Sequence, residues 1–154
     1  MLKRIFIIVF YLSLSSCGYE AIYSKKNTIN YDFSISKLNY AGNRDINLKI
    51  KQKLNKYMLD EKEKTFSLAI NSSKKKETLA KNTSGDPTSF KSTIAINVEV
   101  FMNNKLKNSF IITENFNYNN NSNKFDLKRY EREIIGNLAE TTSDKLIYKL
   151  SNIQ

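Results

Sequence analysis

Four stretches of the chain alternate apolar and polar residues, which is the two-residue period of a β-strand with one buried face. They begin near Tyr31, Thr65, Phe90 and Leu106. In the last two stretches most of the large apolar residues fall at even positions. The pattern therefore predicts four strands, of which the third and fourth are joined as a hairpin.

The shared even numbering of the third and fourth strands limits how they pair, because directly opposed residues point to the same face. Either the loop holds an odd number of residues or a bulge intervenes. We expect a three-residue loop, Met102–Asn104, with Val100 opposite Leu106. A two-residue turn would instead set Val100 against Lys107 and expose the apolar residues of one strand.

Two further segments have apolar residues at helical spacing. The first predicted helix covers residues 44–59, after turn residues 39–43, and its apolar stripe is Ile46, Ile50, Leu54 and Met58. The second covers residues 126–152 with Asp126 as its cap, and its stripe is Leu127, Tyr130, Ile134, Leu138, Thr142, Leu146, Leu150 and Ile153. Gly136 is either a weak point of this helix or a place of close packing.

Polar segments connect these elements. The pattern of the second strand fades into Lys74–Lys76, so this strand either projects beyond the core or ends in a basic loop. Residues 82–89 form the clearest irregular loop. Glu114 interrupts the fourth strand, where it reaches the sheet edge, pairs with a lysine or serves as a buried acid.

The predicted element order is β-α-β-β-β-α. Two helices can then cover one face of a four-stranded, mostly antiparallel sheet, which gives a two-layer α+β domain. If the first two strands are parallel neighbours, the first helix is the crossover between them. The opposite face of the sheet is left uncovered.

The N-terminus has the features of an export signal. Lys3 and Arg4 precede an apolar run that ends at Leu14, and small residues then lead to Cys17, the single cysteine of the chain. Leu-Ser-Ser-Cys resembles the lipobox of bacterial lipoproteins, in which the cysteine thiol is lipidated and becomes the first mature residue. The alternative is a soluble exported chain with an incidental cysteine.

The expected organisation has three parts. Residues 1–16 are a lipoprotein signal peptide, residues 17–30 are the lipidated N-terminus and a polar tether, and residues 31–154 form one domain. In the sorting rule known for such lipoproteins, an aspartate after the cysteine favours the inner membrane. Gly18 at this position therefore points to the outer membrane.

The composition is strongly basic, with 25 Lys and Arg against 15 Asp and Glu, a formal charge of +10. Loss of Lys3 and Arg4 with the signal lowers this charge by two, to +8. Export argues against nucleic acid as a partner and favours phospholipid headgroups or the phosphorylated sugars of lipopolysaccharide. The alternative is that the charge serves solubility alone.

Catalytic chemistry has few candidate residues in this chain. It contains no histidine, and its one thiol is expected to be lipidated, so the usual parts of a zinc site or a serine–histidine relay are missing. There is also no Gly-x-Ser-x-Gly elbow and no spaced pair of acids in a loop. We expect a protein that is not an enzyme and has no cofactor besides covalent diacylglycerol and N-acyl lipid on Cys17.

The ordered combination of short motifs resembles the LptE family, the lipoproteins of lipopolysaccharide assembly. The motifs are Cys17-Gly18-Tyr19 with Tyr23, Gly42-Asn43-Arg44 before the first helix, Asn82-Thr83 before the third strand and Tyr118-Asn119 before the last helix. Two features depart from the family pattern. Ser84 stands where an arginine often follows the threonine, and the last helix is less rich in alanine.

The resemblance implies a non-catalytic outer-membrane lipoprotein that faces the periplasm, assists folding of the LptD barrel and plugs its lumen. It also implies lipopolysaccharide binding. The lysines expected to meet phosphates as point charges are Lys105 and Lys107 first, and then Lys74, Lys75, Lys76 and Lys91. The alternative function is that of a membrane-anchored auxiliary lipoprotein of a phospholipid-transport ABC system.

Overall fold

A computed structural model describes residues 32–59 and 61–153 of the chain. The predicted signal peptide, the lipidated Cys17 and the tether lie outside these residues. The elements in chain order are strand β1 (Ser34–Gly42), helix α1 (Arg44–Leu54), a 3-10 turn (Asn55–Met58), strands β2 (Thr65–Lys81), β3 (Pro87–Met102) and β4 (Lys105–Asn119), and helix α2 (Lys124–Ser151).

The four strands form one sheet in the order β1-β2-β3-β4. β1 and β2 are parallel and α1 connects them, whereas β2, β3 and β4 are antiparallel neighbours. This confirms the predicted α+β class, the element order and the mostly antiparallel sheet. Among the described residues, no helix is long and apolar enough to cross a membrane.

The core lies between the sheet and the two helices. Its most buried large members are Phe33, just before β1, and residues at even-numbered strand positions and on the inner stripe of each helix. These are Phe66, Ile46, Ile50, Leu54, Leu68, Ile70, Ile94, Ile96, Leu146, Leu150 and Val98. The side chains at most odd-numbered positions of β2, β3 and β4 point to the opposite face of the sheet, on which neither of the two helices packs. The sheet therefore has one covered face and one open face.

The start of α1 corrects the turn that was predicted at residues 39–43. β1 continues through most of that segment and ends at Gly42, which has a φ of +86°. A Cβ atom at Gly42 would lie 1.9 Å from the carbonyl oxygen of Ser72, so this close approach requires glycine. Asn43 then caps α1, its side chain accepting a hydrogen bond from the N–H of Ile46 at 3.2 Å.

The predicted helix 44–59 is too long. The α-helix ends at Leu54, and the tighter 3-10 turn that follows places Tyr57 inward and leaves Met58 42% exposed. With about three residues per turn, the residue three positions after Leu54 faces the core, not the one four positions after it. Tyr57 stacks on Phe33 with ring centroids 4.7 Å apart.

The preferred hairpin register is wrong, and the bulge alternative is correct. Asn103 and Asn104 form a two-residue turn with φ values of +52° and +61°, the left-handed conformation that such turns require. The register shifts between Val100 and Phe101, so Val100 pairs with Asn108 instead of Leu106. Lys107 is the extra residue of this bulge. Because of it, the even-numbered apolar residues of both strands lie on the covered face although the turn has two residues.

The cap of α2 also differs from the prediction. Asn123, not Asp126, accepts hydrogen bonds from the first N–H groups, at 3.0 and 3.3 Å. The predicted apolar stripe is buried except at Tyr130, which is 43% exposed. A Cβ atom at Gly136 would meet nothing within 4 Å, so this glycine is a weak point of the helix and not a place of close packing.

Candidate functional site

A cleft of about 490 Å³ lies where the covered face of the sheet is only partly covered. α1 begins beside Ser72, and the covered-face positions of β2 beyond Ser72 are lysines and small residues exposed beside the first half of α2. β2 therefore projects beyond the core, which was one of the two alternatives predicted for it. We call this cavity the basic cleft.

Both helices and β2 contribute to the lining of the basic cleft. The cationic residues are Lys49, Lys74, Lys75, Lys76, Lys128 and Arg132, the acids are Asp45 and Glu131, and the rest are Ser92, Ile135 and Gly136. Because Lys75 occupies an open-face position of β2, five cations against two acids face the cleft, which gives a formal charge of +3. Lys128 and Arg132 are four residues apart on α2 and so lie on the same side of the helix.

A hydrogen-bonded network closes the floor of the basic cleft. The carboxylate of Glu131 accepts from the ammonium of Lys76 at 2.5 Å and from the hydroxyl of Tyr118 at 2.9 Å. Lys76 also lies 3.9 Å above the ring centroid of Phe90. Burial is the main cause of the raised pKa of Tyr118, so its hydroxyl stays protonated and donates to Glu131.

Four of the cleft cations have no partner of opposite charge among the described residues. Lys49, Lys74, Lys128 and Arg132 form no ion pair within the described part of the chain, whereas Lys76 is held by Glu131 and Lys75 pairs with Glu77 at 2.8 Å. Unpaired cations around one concave site repel each other, and an anion that enters the cleft relieves this repulsion. The basic cleft is therefore suited to bind phosphate or carboxylate groups.

The structure separates the lysines that were predicted to meet phosphates. Lys74 and Lys76 reach the basic cleft, whereas Lys75 and Lys91 occupy odd positions on the open face. Lys105 and Lys107 are at the β3–β4 turn, which is ten residues along β3 from Ser92, or about 33 Å at 3.3 Å per residue. One ligand headgroup therefore cannot contact both groups of lysines.

The helical cations of the basic cleft were missed by the sequence analysis. Lys49, Lys128 and Arg132 are not among the lysines and arginines that the sequence singled out. The spacing of Lys128 and Arg132 is the one signal that was present in the sequence. Glu114, the interrupting acid of β4, is bound by Lys145 of α2, which confirms the pairing alternative.

The described residues offer little for catalysis. No group of three or more His, Cys, Asp or Glu side chains within residues 32–59 and 61–153 is placed to hold a metal ion. Among the residues that line the basic cleft, Ser92 carries a hydroxyl, and its Oγ lies 3.4 Å from the hydroxyl of Tyr118. The lysine and arginine side chains around the basic cleft are instead suited to bind an anion.

Comparison with solved structures identifies proteins of the same fold. The chain resembles rare lipoprotein B from Shewanella oneidensis, at 12% identity and a TM-score of 0.60, over 75% of this chain and 93% of that one. It resembles a minor lipoprotein from Acinetobacter baumannii at 12% identity and a TM-score of 0.60, over 79% and 91% of the two chains. For lipoprotein B from Nitrosomonas europaea the identity is 8%, the TM-score 0.57 and the coverage 79% and 86%.

No protein-family model and no curated protein matches the sequence. At 8–12% identity, the structural likeness establishes a shared fold. The three neighbours are lipoproteins by name.

Proposed function

We propose that this protein is an outer-membrane lipoprotein of the LptE type, anchored through lipid on Cys17, which assists folding of the LptD barrel and occupies its lumen. The shared fold with three solved lipoproteins is the observation that carries this proposal. The sequence Leu14-Ser15-Ser16-Cys17 supports the anchor. In this role the protein catalyses no reaction and needs no cofactor besides its covalent lipid.

The surface of the domain is suited to the lumen of a barrel, which is commonly polar. The middle of the open face presents short, mostly uncharged side chains, among them Asn71, Ala95, Asn97 and Thr113. Short side chains allow close approach to a wall of strands, whereas long lysines there would hold the two surfaces apart. The cations are concentrated instead around the basic cleft on the covered face.

The basic cleft is the site that we assign to lipopolysaccharide phosphates. Its unpaired cations, Lys49, Lys74, Lys128 and Arg132, surround a concave surface whose floor is fixed by the Glu131 network. Lys105 and Lys107 were the first choice from the sequence, but both are exposed at the start of β4, beside the hairpin turn. A concave site with several converging charges binds an anion more strongly than two isolated lysines.

Depletion of the protein in its own host tests the proposed function. We expect LptD to fail to mature and surface lipopolysaccharide to fall. Re-expression of the full chain restores both, and a Cys17→Ser chain, which cannot take up radioactive fatty acid, restores them poorly. Normal LptD maturation after depletion, together with co-purification of an inner-membrane ATPase complex, contradicts the proposal and supports the phospholipid-transport alternative.

A further inference from the structure

The outer edge of β4 presents backbone groups that have no strand beside them within residues 32–59 and 61–153. The N–H of Asn120 donates to the carbonyl of Thr88 at 2.8 Å, which extends the β3–β4 register by one hydrogen-bonded pair. Because such pairs alternate along an antiparallel ladder, even-numbered residues of β4 bond to β3. The odd-numbered ones therefore direct N–H and C=O away from the sheet, and they are Ser109, Ile111, Thr113, Asn115 and Asn117.

The two edges of the sheet are protected to different degrees. β1 has nine residues, a register shift after Ile35 and a side-chain hydrogen bond from Asn47 to the carbonyl of Ala41 at 2.9 Å. β4 has 15 residues, and its register shifts only beside Lys107. From Asn108 to Asn119 its one charged residue is Glu114, which Lys145 neutralises. Edge strands are usually protected from pairing with another strand by bulges, lysines or covering side chains, and most of β4 lacks these features.

Apolar side chains and cavities lie along the outer edge of β4. Ile111 is 66% exposed on the open face, and Phe116 is 45% exposed on the covered face. A cavity of about 370 Å³ lies between β4 and the end of α2, beside Phe110 and Tyr148. A second cavity of about 940 Å³ lies between β4 and the start of α2, beside Phe116 and Tyr130. An added strand would direct alternate side chains to these positions.

The charges beside β4 specify the kind of strand that fits. Three lysines lie around the N-terminal end of β4, namely Lys105, Lys107 and Lys149. None of them forms an ion pair with a described residue. From Asn108 to Asn119, β4 itself carries one charged residue, Glu114, which is paired with Lys145. The complementary segment is extended and uncharged, with alternate apolar side chains and with an acidic residue at the end that meets these lysines.

We propose that the outer edge of β4, from Ser109 to Asn117, accepts such an extended segment of the barrel partner as a fifth strand of the sheet. This inference rests on the proposed function for the identity of the partner. Backbone hydrogen bonds from the five outward-facing residues hold the added strand, and the cavities beside Phe110 and Phe116 receive its side chains. The sheet thereby becomes part of the contact with the barrel protein.

Two substitutions at the edge test the proposal in the complex of the full chain co-expressed with LptD. Thr113→Pro removes one outward N–H without loss of a bond to β3, and Thr113→Val is its matched control. Ile111→Lys places a charge on the edge, and Ile111→Val, which keeps an apolar β-branched side chain there, is its matched control. We expect Thr113→Pro and Ile111→Lys to lower co-purification about tenfold and both controls to leave it unchanged.

Amide hydrogen exchange gives a second readout that does not depend on how the variants fold. In the isolated wild-type chain the five outward amides exchange rapidly, and in the complex we expect exchange about 100-fold slower. A complex in which these amides remain as fast as in the isolated chain overturns the inference and leaves the proposed function intact. Protection already present in the isolated chain at a dimer mass also overturns it, because the occupant is then a second copy. Failure of the wild-type chain to recover LptD overturns the proposed function itself, together with this inference.

Discussion

The two halves of β2 have the same extended backbone, but one half is core and the other is surface. In the first half, four covered-face side chains are buried, namely Phe66, Leu68, Ile70 and Ser72. In the second half, from Ser73 to Lys81, every residue is exposed. The difference arises where α1 begins, because α1 covers the sheet on one side of Ser72 and leaves it open on the other. The lysines of β2 lie in the half that α1 does not cover. The same strand therefore contributes to the core and to a cationic site.

The largest effect is expected in the covered half. Phe66→Ala removes a ring that is fully buried against Phe33 at a centroid distance of 5.9 Å, and we expect a loss of about 3–5 kcal/mol in the free energy of unfolding. Chemical denaturation measures it. Lys74→Ala in the exposed half is the control and should change stability by less than about 0.5 kcal/mol. Equal losses in the two variants would show that the halves of β2 do not differ as described.

Ser72 marks the boundary between the halves, and its substitution should have an intermediate effect. Its hydroxyl is buried and lies 2.7 Å from the side-chain oxygen of Asn47 and 3.1 Å from the carbonyl of Asn43. Ser72→Ala leaves these acceptors without their donor, and we expect a loss of about 1–2 kcal/mol by thermal or chemical unfolding. Ser73→Ala, one residue further on, should be close to neutral.

Gly136 lies beside the uncovered half, and its substitution should stabilise the protein. It is in the interior of α2, with free space around the position of a Cβ atom. Gly136→Ala should therefore raise the free energy of unfolding by about 0.5–1 kcal/mol through its higher helix propensity. A loss of stability would show that the backbone at this position is already in close contact with a neighbour.

A further effect is confined to high pH and comes from β1, where Tyr40 pairs with Ile70 of the covered half. Burial raises the pKa of Tyr40 to about 12, and its hydroxyl has no hydrogen-bond partner among the described residues. The unfolded chain therefore loses this proton at lower pH than the folded chain, so the contribution to stability declines as the pH rises from about 10 to about 12. Tyr40→Phe should show a smaller decline over this range, measured by denaturation at each pH. An unchanged decline would show that other groups cause it.

The covered half could be predicted from the sequence because one-sided burial leaves a regular pattern. The even-numbered apolar residues from Phe66 to Ile70 predict a strand, and Ile46, Ile50 and Leu54 predict the helix that covers it. The hairpin register could not be predicted, because a three-residue loop and a two-residue turn with a bulge both satisfy the same parity. The left-handed conformation of two consecutive asparagines decided between them.

The basic cleft could be predicted only in part. Lys74 and Lys76 were chosen because they interrupt a strand pattern, whereas Lys49, Lys128 and Arg132 resemble ordinary helix-surface residues in the sequence. Their convergence depends on where α1 begins and on how α2 lies across the sheet, which are long-range features of the fold. The same features separate Lys105 and Lys107 from the other predicted residues.

The most direct test of the account is a titration of purified lipopolysaccharide against variants of the two groups of lysines. We expect Lys74→Glu combined with Arg132→Glu, in the basic cleft, to weaken binding about tenfold or more at unchanged unfolding free energy. Lys105→Glu combined with Lys107→Glu, at the hairpin, reverses the same number of charges and should change the affinity less than about twofold. Unchanged affinity of the cleft variant, or a larger loss in the hairpin variant, would contradict the assignment of the basic cleft as the anion-binding site.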